Sequence, residues 1–171
     1  EKKGGGQSKE ATLFVPSDIS KMSRFIHLKH RTDNKTVTLS DDGAGITEKL
    51  AKDTGVQVGD TIRIYADEQE LTIKVTDITE NYLNHYSYMT PKAYEQAGGG
   101  TIHYNLAYFN LKETDATTED QLASQWLGQN DVSSVSYTAN VIKNANDTMS
   151  SQNIVVVVML VSAGILAFVV L

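Results

Sequence analysis

The residues best suited to metal or proton chemistry are four histidines, at His27, His30, His85 and His103. They stand as two pairs. His27 and His30 would share a face only on a helix, whereas the residues around them read as a strand, and neither pair has obvious ligands beside it. Cysteine is absent, which excludes a disulfide framework, a thiolate zinc site and a cysteine nucleophile together. No HExxH, GxSxG or CxxC motif occurs. The carboxylates are scattered, and none forms a pair that stands out as an acid and base for glycoside cleavage. In "DDGAG", positions 41–45, two glycines suggest a phosphate cradle, but the lysine and spacing of a P-loop are missing. The expectation is therefore no catalytic, cofactor or metal residue, and no ATP hydrolysis by the chain itself.

A second glycine motif, "GVQVGD", reads as architecture. Gly55 can take the positive φ that stops a helix, Gly59 permits a tight turn, and Asp60 can bond the backbone of that turn. Surface recognition has a better candidate in tyrosine. Six of the eight tyrosines lie between positions 82 and 108: Tyr82, Tyr86, Tyr88, Tyr94, Tyr104 and Tyr108, accompanied by His85, His103 and Phe109. Tyrosine offers a large apolar face and a hydroxyl at low entropy cost, which suits contact with a peptide, a glycan or another protein. Tyr82, His85, Tyr86 and Tyr88 form the candidate contact site. Alternation along a strand must put half of such residues inside, and a core layer between strand and helix is the competing reading.

The elements that would carry these residues follow from pattern. "ATLFVP", positions 11–16, reads as a strand, and Ser17 or Asp18 as the cap of the helix after it. "TVTLS", Thr36 to Ser40, reads as a strand with Val37 and Leu39 on one face. "ITEKLAKDTG" reads as a short helix with Ile46, Leu50 and Ala51 on one side. "DTIRIYA" and "ELTIKVTDI" alternate apolar and polar residues as a hairpin, with the acidic "DEQE" as its exposed turn. "HYSYMT" reads as a strand and "PKAYEQAG" as a helix with Pro91 in its first turn. His103 to Lys112 reads as a strand, and "TTEDQLASQWLGQN" as a helix capped by Thr117 or Thr118, with Leu122, Trp126 and Leu127 on its apolar face. "VSSVSYTA" reads as a final strand. The Gly-Gly-Gly runs at 4–6 and 98–100 are too short to link domains and suit loop tips. The sum is an α+β domain over residues 1–140.

Composition divides the chain. Its 171 residues carry 15 Lys plus Arg against 21 Asp plus Glu, a net charge of −6. Binding nucleic acid requires clustered Lys and Arg, and "HLKHR", the one short basic cluster, suits a solvated segment instead. The apolar residues concentrate at the end, in "IVVVVMLVSAGILAFVVL", Ile154 to Leu171, whose side chains include one polar exception, Ser162. Eighteen helical residues span about 27 Å, close to the roughly 30 Å of bilayer hydrocarbon, so 154–171 is expected to be a transmembrane helix. A core helix apolar on every side exceeds what so small a body encloses, and a buried strand of that length is uncommon. The run carries no basic residue to anchor its far end, which leads to the expectation that the polypeptide continues beyond Leu171. The opening "EKKGGGQSKE" lacks the apolar core of a signal peptide.

Before the run, Val141, Ile142, Ala145 and Met149 fall on one helical stripe, and no Pro or Gly intervenes between Asn140 and Ala163. Residues 141–153 are therefore expected to form a stalk helix continuous with the membrane helix, able to transmit movement where a Gly/Ser linker would not.

The stretch "ITEKLAKDTGVQVGDTIRI", then "KVTDITENYLNHYSYMTPKAYEQ", then a membrane helix starting "SSQNIVVVVMLVSAGILAFVVL", resembles the extracellular domain and following membrane helix of FtsX/MacB-like ABC transporter permeases. It covers the chain from Ile46 to Leu171. "VGD" alone is common; its order with the Tyr-rich segment and the closing apolar helix is more specific. The resemblance implies a permease dimer in the cell membrane with residues 1–153 extracellular. It also implies a cytoplasmic ABC ATPase as partner, an extracellular protein or peptide partner, and export or mechanotransmission as the activity. Two other classes remain: a ligand-binding sensor or adaptor anchored by one membrane helix, and an anchored surface enzyme acting on cell-wall polymer.

Overall fold

A computed structural model describes residues 7–66, 69–81, 84–112, 115–140, 142, 146–147 and 155–163. The chain divides into two compact units, residues 1–109 and 110–171.

The first unit holds a mixed five-stranded sheet with the order β1-β5-β2-β4-β3. Strand β1 is Thr12–Phe14, β2 Ala44–Thr47, β3 Thr61–Ala66, β4 Gln69–Thr79 and β5 Tyr86–Met89. Helix α1, Ile19–Met22, follows β1; α2, Glu48–Thr54, follows β2; and α3, Pro91–Gln96, follows β5. β1 runs parallel to β5 and β2 parallel to β4, while β5/β2 and β4/β3 are antiparallel. The expected hairpin is present, with Ile62 opposite Ile73 and Ile64 opposite Leu71. An α+β architecture is thus realised.

Local sequence explains the joints. Asp18 caps α1, its Oδ1 accepting from the Ser20 amide at 3.0 Å. Thr90 caps α3 through the Ala93 amide at 2.9 Å, with Pro91 in the first turn, where its missing N–H costs nothing. Gly55 ends α2 at φ 69° and Gly59 turns at φ 93°. Asp60 Oδ2 accepts from the Gln57 amide at 2.8 Å and closes the "GVQVGD" turn on itself.

"DDGAG" also proves architectural. A Cβ on Gly43 would stand 2.2 Å from the Lys74 carbonyl oxygen, so glycine here lets β2 enter between β4 and β5. The next residues, Ala44 to Thr47, are wholly buried in the middle of the sheet. This corrects the expectation that the helix begins at Ile46. Ile46 is a central-strand residue, and α2 starts at Glu48 behind an extended Thr47. Ile46, Leu50, Ala51, Val56, Ile62, Ile73, Val75 and Met89 form the main core between the sheet and α2. Met22, Leu28, Val37 and Tyr88 form a second cluster.

Two expected strands of this unit are absent. Over Thr36 to Ser40, Val37 is buried and Leu39 half-buried as their alternation implied, but pairing is limited to one bridge between Lys29 and Thr36. From His103 onward the chain shows alternation and no ladder: Tyr104, Leu106, Tyr108 and Phe109 are all exposed. Period-two patterning needs a neighbouring strand to become a sheet, and none pairs here among the described residues.

In the second unit, helix α4 spans Ala116–Leu127. Its cap is Asp115, not Thr117 or Thr118: the carboxylate accepts from the Thr118 amide at 2.9 Å and from the Thr118 hydroxyl at 2.5 Å. Leu122 and Trp126 are half-buried, while Leu127 is exposed. The expected strand at "VSSVSYTA" does not form. Tyr137 turns its hydroxyl onto the Glu119 carbonyl at 2.5 Å, and a helical turn covers residues 138–140. Residues 155–163 are helical.

Candidate functional site

Strand β5 carries two of the four contact residues expected from sequence, Tyr86 and Tyr88, and its alternation puts both on one face. Tyr86 and Tyr88 lie on one face of the sheet, Ser87 and Met89 on the other. In register, Phe14 stands beside Tyr88, and the two rings are tilted at 5.9 Å between centroids. Tyr86 stacks on Tyr88 at 6.0 Å. Tyr108 reaches Phe14 at 6.1 Å and stacks on Phe25 at 5.7 Å. These separations are in the range where aromatic pairs gain about 0.5–1.5 kcal/mol beyond the area they bury.

The cluster grades from core to surface. Tyr88 is 6% exposed, and burial, followed by the neighbouring Tyr86 and Tyr108, pushes its phenol up to about 12. It is a neutral core residue at physiological pH. Tyr108 is 47% exposed and Phe109 64%, and Phe25, Tyr104 and Leu106 are exposed with them. An apolar strip of this kind, rooted in a packed aromatic cluster, is suited to contact with a partner.

His85 belongs elsewhere. Its Nε2 lies 3.0 Å from Asp53 Oδ2 on α2, and its Nδ1 3.0 Å from the Glu10 carbonyl oxygen. Lys49 Nζ is 2.9 Å from the same Asp53 oxygen. Lys49 first, then His85, holds the Asp53 carboxyl below the usual carboxylate range. His85 is thus a tie joining the start of β5 to α2 and to the segment before β1, with no part in the aromatic surface.

The other histidines do not converge. His30 Nε2 is 2.6 Å from Asp77 Oδ1, with Asp33 Oδ1 3.6 Å from its Nδ1. Among the described residues no group of three or more His, Asp or Glu is placed to hold a metal ion. Tyr82 lies outside the described residues, as do Val141, Ala145 and Met149 of the expected stalk; Ile142 is described and exposed.

Sequence reasoning missed Phe14 and Phe25. Both sit far from the tyrosines along the chain and reach them only through the parallel β1/β5 pairing and the turn after α1. The tyrosine density was a local signal, whereas the two phenylalanines carried none.

The second unit presents a different surface. Val155, Val156, Val157, Val158, Met159, Leu160 and Val161 are consecutive on a helix and each is 54–69% exposed. Consecutive residues cover the whole circumference, so the helix is uncovered on every side. The one hydroxyl, Ser162 Oγ, bonds back to the Val158 carbonyl at 2.7 Å. Among the described residues no helix is long and apolar enough to cross a membrane; the rest of the expected span, residue 154 and residues 164–171, lies outside them.

Comparison of the chain with protein-family models, curated proteins and solved structures gives no match.

Proposed function

We propose that this chain is the extracellular domain of an ABC transporter permease subunit of the FtsX/MacB type, with residues 154–171 as a transmembrane helix and 141–153 as the stalk leading to it. The observation that carries the reading is the uncovered apolar helix at 155–161. Seven large apolar side chains in water forgo about 1.5–3 kcal/mol each relative to burial, and lipid or packed membrane helices around them would recover it. Ser162 fits the same setting, since its hydroxyl is satisfied within its own helix. The resemblance from Ile46 to Leu171 supplies the family.

In this mechanism a cytoplasmic ATPase moves the membrane helices, the stalk carries the movement outward, and the sheet domain delivers it to a partner. The surface formed by Phe25, Tyr104, Leu106, Tyr108 and Phe109 is where an extracellular protein or peptide would be engaged. The chain contributes no catalytic group; ATP hydrolysis belongs to the partner subunit.

The test is affinity purification of the natural polypeptide from detergent-solubilised membranes. An ABC ATPase should copurify, and residues 7–109 should be accessible to protease from outside intact cells. Release of the polypeptide by carbonate without detergent, or purification with no ATPase, overturns the proposal.

A further inference from the structure

Strands β1 and β3 are the two edges of the sheet, each with a single neighbour, β5 and β4 respectively. Residues of β3, of β1 and of the segment before β1 all line one groove of about 180 Å³ that is open to solvent. Leu13, Ile46, Leu50, Ile62 and Ile64 make part of its lining apolar, whereas Lys9, Glu10 and Arg63 make the rest polar and charged. Ser87 lines it too. That residue is 3% exposed, and among the described residues its Oγ has no hydrogen-bond partner. A groove bordered by two strand edges and of mixed lining has the chemistry of a missing strand. Edge backbone takes up alternating N–H and C=O groups, and an added strand brings one apolar and one polar face.

The same chain carries a strand-like segment without a sheet. Over residues 104–107, Tyr104 and Leu106 alternate with Asn105 and Ala107, and no ladder pairs them among the described residues. Tyr104 is 57% exposed and Leu106 63%. Four residues are enough for a strand in this fold, since β1 has three and β2 four. The segment is held away from the groove of its own copy. Tyr108, just after it, stacks on Phe25 and reaches Phe14, and Phe14 pairs in register with Tyr88, on the face of the sheet opposite Ser87.

We infer that residues 104–107 of one copy add as a strand in the groove of a second copy. Leu106 covers Ile62 and Ile64, the Tyr104 hydroxyl bonds Ser87 Oγ, and Asn105 faces solvent and the charged lining. Both hydroxyls can donate and accept, so the orphaned oxygen is satisfied in either sense. Tyr108 stays on Phe14 and Phe25 and anchors the segment to the copy that donates it. The exchange is mutual, which closes the assembly at two copies. This inference names a second copy as the partner of the aromatic strip, and it rests on the reading of that strip as a contact surface.

The test uses the full chain in detergent. Because the chain has no cysteine, introduced thiols report only the designed pair. Leu106→Cys mixed with Ile64→Cys should give a heterodisulfide on mild oxidation, and Leu106→Cys mixed with Lys35→Cys should not. By sedimentation equilibrium, Ser87→Ala and Tyr104→Phe should each raise the dimer dissociation constant about three- to tenfold. The double variant should be no weaker than either single one, because both substitutions remove the same bond. Ser87→Ala should keep a urea midpoint at or above that of wild type at concentrations where the chain is monomeric, which separates lost contact from lost folding. A heterodisulfide yield no greater than that of the Lys35 control, multiplied effects in the double variant, or a wild-type chain monomeric at every concentration overturns the assignment. Copurification of an ABC ATPase with a chain that gives no heterodisulfide would remove this inference and leave the permease reading standing.

Discussion

His85 Nε2 lies 3.0 Å from Asp53 Oδ2, and Lys49 Nζ lies 2.9 Å from that same oxygen, so one carboxylate on α2 gathers a cation from its own helix and an imidazole from the strand beyond. Lys49, first, and His85 lower the Asp53 carboxyl in the folded state. A carboxyl depressed on folding stabilises the fold above its unfolded pKa of about 3.9, and that contribution is lost as pH falls through the lower folded value. The expected outcome is a urea midpoint that falls between about pH 5 and pH 3 in wild type and falls less in Asp53→Asn. Equal slopes in the two proteins would show that the carboxylate is not part of the acid sensitivity.

Tyr88 gives the opposite limb. Its phenol is pushed up to about 12, mainly by burial, against an ordinary value of 10.0. The folded state therefore holds its proton where the unfolded chain gives it up. Stability from this source is complete below about pH 10 and declines as pH rises through about 12. Tyr88→Phe should flatten the loss of thermal stability across that interval, measured by circular dichroism. Ultraviolet titration of the phenols should show one tyrosine fewer among the late-ionising set.

Gly43 and Gly55 separate two reasons for glycine. A Cβ at position 43 meets the Lys74 carbonyl oxygen at 2.2 Å and the Thr76 methyl at 2.6 Å, both on the strand that β2 must approach. At position 55 a Cβ meets nothing within 4 Å, and the constraint is φ 69° alone. Gly43→Ala is expected to cost about 3 kcal/mol or more, because strand backbone must move. Gly55→Ala should cost about 1–2 kcal/mol, the strain of a left-handed alanine. Chemical denaturation of the two variants checks the order; a larger loss at Gly55 would mean that β2 has room to shift.

These contrasts show what was legible in the sequence. The hairpin of β3 and β4 could be read because alternation and a turn fix it locally, and Gly55, Asp18 and Pro91 mark helix ends by chemistry carried in one or two residues. Ile46 was misplaced because "AGIT" is buried on both faces and so shows no alternation; its strand exists through pairing with β4 and β5, more than thirty positions away. His103 to Lys112 failed in the reverse sense, having alternation and, among the described residues, no strand paired to it. The aromatic cluster was half legible: Tyr86, Tyr88 and Tyr108 announced themselves by density, whereas Phe14 and Phe25 entered through tertiary structure.

The helix at 155–163 offers a direct test of the proposed bilayer assignment. Its side chains from Val155 to Val161 are exposed around the full circumference, and a lipid environment makes that arrangement favourable. A charge placed there then becomes expensive, with Arg or Lys costing about 2.5–3.5 kcal/mol near the centre of an inserted helix. Leu160→Arg combined with Val157→Arg should shift the natural polypeptide from the carbonate-resistant membrane fraction toward the extractable one. Leu160→Ala with Val157→Ala, which shortens the side chains and adds no charge, should leave it in the membrane. A control pair in the sheet domain, Leu106→Arg with Phe109→Arg, carries the same charge on an exposed segment that the proposed arrangement keeps in water, and should not alter fractionation. If the sheet-domain pair releases the polypeptide and the helix pair does not, attachment runs through the aromatic surface, and the assignment of the apolar helix to the bilayer fails.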